Sequence, residues 1–218
     1  SWGMTTRTIG ALIMVHGDDS GLVLPPRVAP VQINIVPIQQ NKEGVLDKAY
    51  SLKEELVKAG FRVKVDDSDK TPGFKFADGE VRGIPLRLEI GPKDIEKEQA
   101  VLVRRDTREK MVVSLSALSG EVKRILETVQ NEMYARALAF QKERTTDAKT
   151  LDELVASLDK KPGFVRAMWC GCRECEDKLK EYSGITSRCI PDKQETISDT
   201  CVVCGKKATK MVYWGRAY

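Results

Sequence analysis

Apolar positions recur along this chain with two periods, and the places where one gives way to the other predict most of its elements. Near the start, Ile9, Leu12 and Ile13 recur at helical spacing, with Thr5 and Thr6 before them and His16 and Gly17 after. That predicts a short amphipathic helix with Thr5 or Thr6 as N-cap and Gly17 just past its end. Residues 31–38 are an apolar run rich in β-branched side chains, as in a buried strand. From about Glu43, Leu46, Ala49, Leu52 and Leu56 share one helical face, and Gly60 stops the helix. Phe61, Val63 and Val65 then alternate with polar residues as a second strand. Strand, helix and strand in so short a stretch predict a parallel, right-handed βαβ unit.

Residues 71–85 are punctuated by Gly and Pro and leave room for one short helix. Leu86, Leu88 and Ile90 alternate as a third strand, and Gly-Pro-Lys-Asp at 91–94 opens a turn or short helix. Residues 100–103 and 111–115 predict two further strands, joined across the charged 104–110 segment as a hairpin. A long helix follows over 120–144, with Val122, Ile125, Leu126, Val129, Met133, Ala137 and Phe140 at helical spacing. The expected architecture is a mixed five-stranded α/β domain over about 31–130, a helical link, and a cysteine-bearing domain to 218.

Composition narrows the class. A hydrophobic fraction of 41% and a charged fraction of 31% are those of a folded globular protein, so global disorder is not expected. No apolar run approaches the ~20 residues that span a bilayer, and the start has no basic n-region of a signal peptide. The net charge of +4, from 36 basic and 32 acidic residues, is too small to argue for nucleic acid by itself. Any RNA recognition has to come from placed residues rather than a basic field.

All six cysteines lie between 170 and 204, which reads as a metal site rather than a disulfide scaffold. Cys201-Val-Val-Cys204 is a C-x-x-C knuckle followed by Gly205. For the other half-site the spacing leaves two options, Cys172 with Cys175 or Cys170 with Cys175, the latter also with glycine after its first cysteine. Spacing slightly prefers Cys172. Four thiolates suit tetrahedral Zn²⁺ and leave no open position, so a structural role is expected.

The motifs taken together resemble a known family. Ser-Trp-Gly-Met-Thr-Thr-Arg-Thr-Ile-Gly (1–10), His-Gly-Asp-Asp (16–19) and Gly-Leu-Val-Leu-Pro-Pro-Arg-Val-Ala-Pro (21–30) resemble the third signature motif of class II aminoacyl-tRNA synthetases. More narrowly they resemble prolyl-tRNA synthetase of the archaeal and eukaryotic type. The resemblance continues through Thr-Pro-Gly-Phe-Lys-Phe (71–76), Arg-Leu-Glu-Ile-Gly-Pro-Lys-Asp (87–94), the cysteine-rich tail and Gly-Arg-Ala-Tyr (215–218). Earlier catalytic motifs of the family are absent, and the chain opens with Ser inside a motif. A C-terminal portion of a synthetase, cut within its catalytic domain, is therefore expected. The alternative is a non-catalytic tRNA-binding paralogue.

The resemblance implies three parts: the end of a class II catalytic domain (1–30), an anticodon-binding domain (31–130) and a small α+β zinc-binding domain (131–218). It implies that Trp2 lines a prolyl pocket and that Thr5 and Arg7 contact ATP, with Arg7 on the terminal phosphate as the catalytic residue. It assigns anticodon recognition to Glu80, Arg87, Lys93 and Asp94, with Lys75 and Glu89 as weaker candidates. It prefers Cys170, Cys175, Cys201 and Cys204 as zinc ligands, because the family pattern Cys-Gly-x-x-x-Cys-Glu falls on 170–176. The complete enzyme is expected to be a cytoplasmic homodimer that uses ATP and Mg²⁺ to join proline to its tRNA through prolyl-adenylate. This portion alone is expected to be inactive. His16 is read as a helix-end residue without chemistry.

Overall fold

The computed structural model describes residues 3–216. They divide into two compact units at Ala137/Leu138. The first opens with helix α1 (Arg7–His16). The predicted βαβ unit follows as β1 (Ile33–Pro37), α2 (Val45–Lys58) and β2 (Val63–Val65). Then come α3 (Pro72–Val81), β3 (Leu86–Ile90), α4 (Pro92–Glu96) and the hairpin of β4 (Gln99–Arg104) and β5 (Lys110–Ser114). After a single 3-10 turn, α5 (Leu118–Glu143) runs from the first unit into the second.

The sheet order is β2-β1-β3-β4-β5, with β1 parallel to β2 and β3, and β4 antiparallel to both neighbours. This is the expected mixed five-stranded sheet. Its core gathers Ile33 and Ile35 of β1, Leu86, Leu88 and Ile90 of β3, Leu52 and Leu56 of α2, and Val122, Ile125 and Val129 of α5. Each such side chain contributes about 1.5–3 kcal/mol when fully buried. The strict alternation of β3, buried at 86, 88 and 90, turns Arg87 and Glu89 to the other face.

Several local expectations shift. On α2 the buried residues are Val45, Ala49, Leu52 and Leu56, so Val45 takes the place given to Leu46. The buried stripe of α5 ends at Met133, and Phe140 is exposed under the Arg144 guanidinium at 4.1 Å. Thr6 is the α1 N-cap but its side chain makes no capping bond. Gly17 follows the helix with φ −67°, so it is not chosen for a left-handed turn. It is needed because a Cβ there would sit 2.7 Å from the Ile13 carbonyl oxygen.

The second unit holds β6 (Thr145–Asp147), α6 (Leu151–Lys160), β7 (Phe164–Trp169), α7 (Arg173–Ser183), β8 (Ile185–Cys189) and β9 (Lys210–Arg216). Its sheet order is β6-β7-β9-β8, with only the β6–β7 pair parallel. A capping box starts α6: Thr150 Oγ1 accepts from Glu153 N–H, and Glu153 accepts in return from Thr150 N–H. Leu154, Leu158, Val165, Leu179, Ile185, Val212 and Trp214 form its core.

Candidate nucleic-acid interface and metal centre

The parallel register of β1 and β3 sets Asn34 beside Arg87 and Val36 beside Glu89, on the sheet face turned away from the main core. Helix α3 lies along this face. Thr71 caps it, accepting from Phe74 N–H at 3.4 Å, and Pro72 fits its first turn. Phe76, Gly79 and Glu80 of α3 then line a small recess with Asn34, Arg87, Arg104 and Arg105.

Arg87 is the centre of this face. Its guanidinium stacks on the Phe76 ring at 3.9 Å. Nε donates to Glu89 at 2.8 Å, and a terminal nitrogen donates to Glu80 at 3.1 Å. The Arg87 and Glu89 side chains are each 14% exposed and that of Glu80 is 32% exposed. The outcome is an arginine fixed in orientation, flanked by two carboxylates with free acceptor positions. A purine edge carrying N–H donors and a carbonyl acceptor is complementary to this set.

The other sequence candidates separate. Lys93 is exposed on α4. Asp94 accepts from Gly91 N–H at 3.0 Å and so caps that short helix. Both follow the C-terminal end of β3. Lys75 is buried and its ammonium is committed internally, to Gln40 Oε1 at 2.7 Å and the Asp66 carbonyl at 2.9 Å. It ties the loops after β1 and β2 together instead of facing solvent. Phe76 and Asn34 were not singled out from the sequence. No periodicity marks them, because the Gly/Pro-rich run before β3 hid which side of α3 meets the sheet.

Trp2 lies outside the described residues. Arg7 begins α1 and is exposed, and Thr5 Oγ1 accepts its backbone N–H at 3.4 Å. No residue of α1 is buried. His16, in the last turn, has its pKa pushed down by burial and by Arg136.

In the second unit, Cys170 follows β7, Cys175 sits in the first turn of α7, and Cys201 and Cys204 lie on the tight loop before β9. Their four sulfurs all fall within 4.8 Å of one another. Cys170 Sγ is 3.7 Å from Cys175 Sγ and 3.8 Å from Cys204 Sγ. Four sulfurs at Zn–S distances of ~2.3 Å make a tetrahedron with edges of ~3.8 Å, so the spacing fits the ion. All six cysteines are free thiols. Gly171 and Gly205 take positive φ of 85° and 70°, turning the backbone at each half-site where side-chain-bearing residues would be strained.

The thiols do not titrate alike. Burial and the neighbouring thiols raise Cys175, and burial raises Cys170. At Cys201 burial is outweighed by the N–H groups of Cys204 and Val203, which bring it down to about 7. One thiolate is favoured by the backbone, and further ionisation needs a cation among the sulfurs. Cys172 stands apart: it occupies the N-cap position of α7 and its sulfur meets Glu174 Oε2 at 3.0 Å. The geometry thus groups Cys170, and not Cys172, with the other three. Cys189 is exposed on β8.

Comparison with known proteins finds one family match in each unit. Residues 32–125 match the family model "Anticodon binding domain", and residues 151–218 match "Prolyl-tRNA synthetase, C-terminal". Among curated proteins, "Proline--tRNA ligase" of Lachnoclostridium phytofermentans is 63% identical over 218 residues, all of this chain and 45% of that protein. The protein of the same name from Agathobacter rectalis is 61% identical over 219 residues, again all of this chain and 46% of the relative. That of Clostridium botulinum strain Loch Maree is 59% identical over 218 residues, covering 45%. The chain therefore spans a little under half the length of these relatives. With both models matched in order and every residue aligned to these relatives, the chain is similar to the C-terminal region of prolyl-tRNA synthetases.

Proposed function

We propose that this chain is the tRNA-reading and zinc-stabilised portion of an enzyme that joins proline to its tRNA. The observation that carries the reading is the coincidence of the matched anticodon-binding stretch with a sheet face bearing a pre-oriented Arg87 between Glu80 and Glu89. A proline anticodon ends in two guanines. Each offers N1 and N2 donors to a carboxylate and an O6 acceptor to a guanidinium. Glu80 and Arg87 read such an edge, while Lys93 and Asp94 at the end of β3 serve the adjoining nucleotide and its phosphate.

Residues 1–30 belong to the catalytic domain, 31–130 to anticodon binding and 131–218 to the zinc-binding part. In the whole enzyme Trp2 lines the prolyl pocket, and Thr5 and Arg7 contact ATP. Arg7 on the terminal phosphate offsets charge while the proline carboxylate attacks the α-phosphate to give prolyl-adenylate and pyrophosphate. The prolyl group then passes to the tRNA. Mg²⁺ accompanies ATP, and the enzyme is a cytoplasmic homodimer. Cys170, Cys175, Cys201 and Cys204 would hold Zn²⁺, which would supply folding free energy to the second unit rather than chemistry.

The test is binding of this chain to proline tRNA and to the same tRNA with both anticodon guanines replaced. Tighter binding of the former is expected, and equal binding overturns the reading. Arg87→Ala is expected to remove about 1–3 kcal/mol of cognate binding and to flatten that discrimination. Lys53→Ala, at a half-buried position of α2 beside Tyr50, changes little.

A further inference from the structure

Arg105 is a deeply buried charged group outside the RNA-reading face, with a side chain only 2% exposed. It stands just after β4, and every nitrogen of its guanidinium is committed. Nε donates to the Glu80 carbonyl oxygen at 2.9 Å. The two terminal nitrogens grip the Asp18 carboxylate, at 2.8 and 2.6 Å, from 87 residues away in sequence. The adjacent Arg104 is used differently, binding Asp106 and Glu132. So the Arg105 side chain joins the C-terminal turn of α3, where Glu80 sits, to the segment that leaves α1.

The rest of that segment runs along the same edge. Leu22 N–H donates to the Val81 carbonyl at 3.1 Å and Leu24 N–H to the Gly83 carbonyl at 3.2 Å. Arg108 donates to the Ser20 hydroxyl. The approach is close enough that a Cβ on Gly21 would lie 2.6 Å from Val81 Cα, and one on Gly83 2.6 Å from Leu22 Cβ. Movement of the α3 end therefore cannot occur without movement of residues 18–24. Packed elements so closely joined shift together or not at all.

We propose that Arg105 is a positioning residue that ties the Glu80–Arg87 pair to Asp18, so that RNA held at Arg87 is felt two residues beyond the end of α1. The inference rests on the RNA-reading role given above. Glu80 has two functions on this account. Its carboxylate orients Arg87 from one side, and its backbone carbonyl holds Arg105, whose other nitrogens grip Asp18. A guanidinium is the side chain able to bind both partners at once, because its fork reaches two carboxylate oxygens while Nε stays free for the carbonyl.

The experiment is amide hydrogen exchange on the whole 218-residue chain, with and without an RNA hairpin whose loop carries a proline anticodon. In the unaltered chain, hairpin binding is expected to slow exchange at Leu22 and Leu24 by about fivefold or more, the scale of typical coupling between sites. In Arg105→Lys the hairpin still binds, but the change at those two amides is lost. Lysine keeps the charge and cannot hold three acceptors in that geometry. Asp18→Asn, altered at the more exposed partner, gives the same loss and stands in should Arg105→Lys fold poorly. A purely structural role would offset the exchange rates equally with and without RNA. Unchanged exchange on binding, or an equal change in both variants, overturns the inference alone. Failure of the unaltered chain to bind the hairpin overturns the RNA-reading role and this inference with it.

Discussion

The two units of this chain are held together by different means. The first buries 19 apolar residues in one cluster around a five-stranded sheet, while the second buries 10 around a four-stranded one, counted among the described residues. At roughly eighty residues, a core of the second size seldom suffices, and a metal is a common supplement. The four sulfurs stand where that supplement is needed. They tie β7, the start of α7 and the loop before β9, and α7 itself has little apolar surface to offer beyond Leu179. The first unit is a packing problem already closed. On the proposal made above, the second is closed when its four cysteines share an ion.

Metal removal gives the sharpest break in this comparison. A strong chelator at neutral pH is expected to abolish exchange protection in β7 and β9 while leaving that of β1 and β3. Structural zinc contributes ~10–16 kcal/mol in small finger peptides, more than a domain of this size holds in net stability. An unchanged melting profile in chelator would sink the structural role. Next in size is ligand identity. Cys170→Ser is expected to lose the metal and to behave like the chelated protein, and Cys172→Ser to keep it. Zinc content measured on both variants decides between them, and the reverse pattern would return the first half-site to the Cys172–Cys175 spacing.

The complementary break is made in the first unit. Leu88 is fully buried in the central part of the sheet. Leu88→Ala is expected to cost about 2–5 kcal/mol through lost burial and the cavity left behind. The loss should appear in denaturant unfolding followed at β1 and β3 amides, with no dependence on zinc. A zinc-dependent loss would mean that the two units do not differ in the way argued here.

How much of this was legible in the sequence follows the same division. The first unit declared itself because β1 is buried on both faces and most of its other elements bury one. The alternation at 86, 88 and 90 and the helical stripe from Val122 to Met133 are direct images of that burial. The second unit did not. A Thr-x-x-Glu cap at 150–153 ahead of Leu154 and Leu158 was a readable start for α6. By contrast α7 is nearly all polar, and β8 carries Thr, Ser, Arg and Cys, so neither shows a periodic pattern. Strand β8 is held by pairing with β9, and α7 brings Cys175 to the four-sulfur cluster, which spacing reports only as an ambiguity between Cys170 and Cys172. At the face proposed to read RNA, the family resemblance supplied Arg87 and Glu80, but not Phe76 beneath the guanidinium. That contact depends on the docking of α3 onto the sheet, a tertiary fact with no local signature.

The smallest expected effect concerns Asp18, and it tests whether the first unit's edge is as firmly closed as its core. Hydrogen bonding to Arg105, aided by the Ser20 N–H, holds the carboxyl at about 2, below its ordinary value of 3.8. A carboxylate depressed in the folded state stabilises it above the unfolded pKa, and that contribution fades as pH falls toward the folded value. The window is thus from about pH 4 down to about pH 2. Asp18 is 42% exposed, so solvent screening keeps the effect small. Other acids titrate in the same range, and the informative quantity is the stability difference between the unaltered chain and Asp18→Asn. That difference is expected to shrink across the window, because protonation does to Asp18 what the substitution does. A difference that stays constant from pH 4 to pH 2 would show that Arg105 does not hold Asp18 in solution. The edge would then be looser than the core behind it.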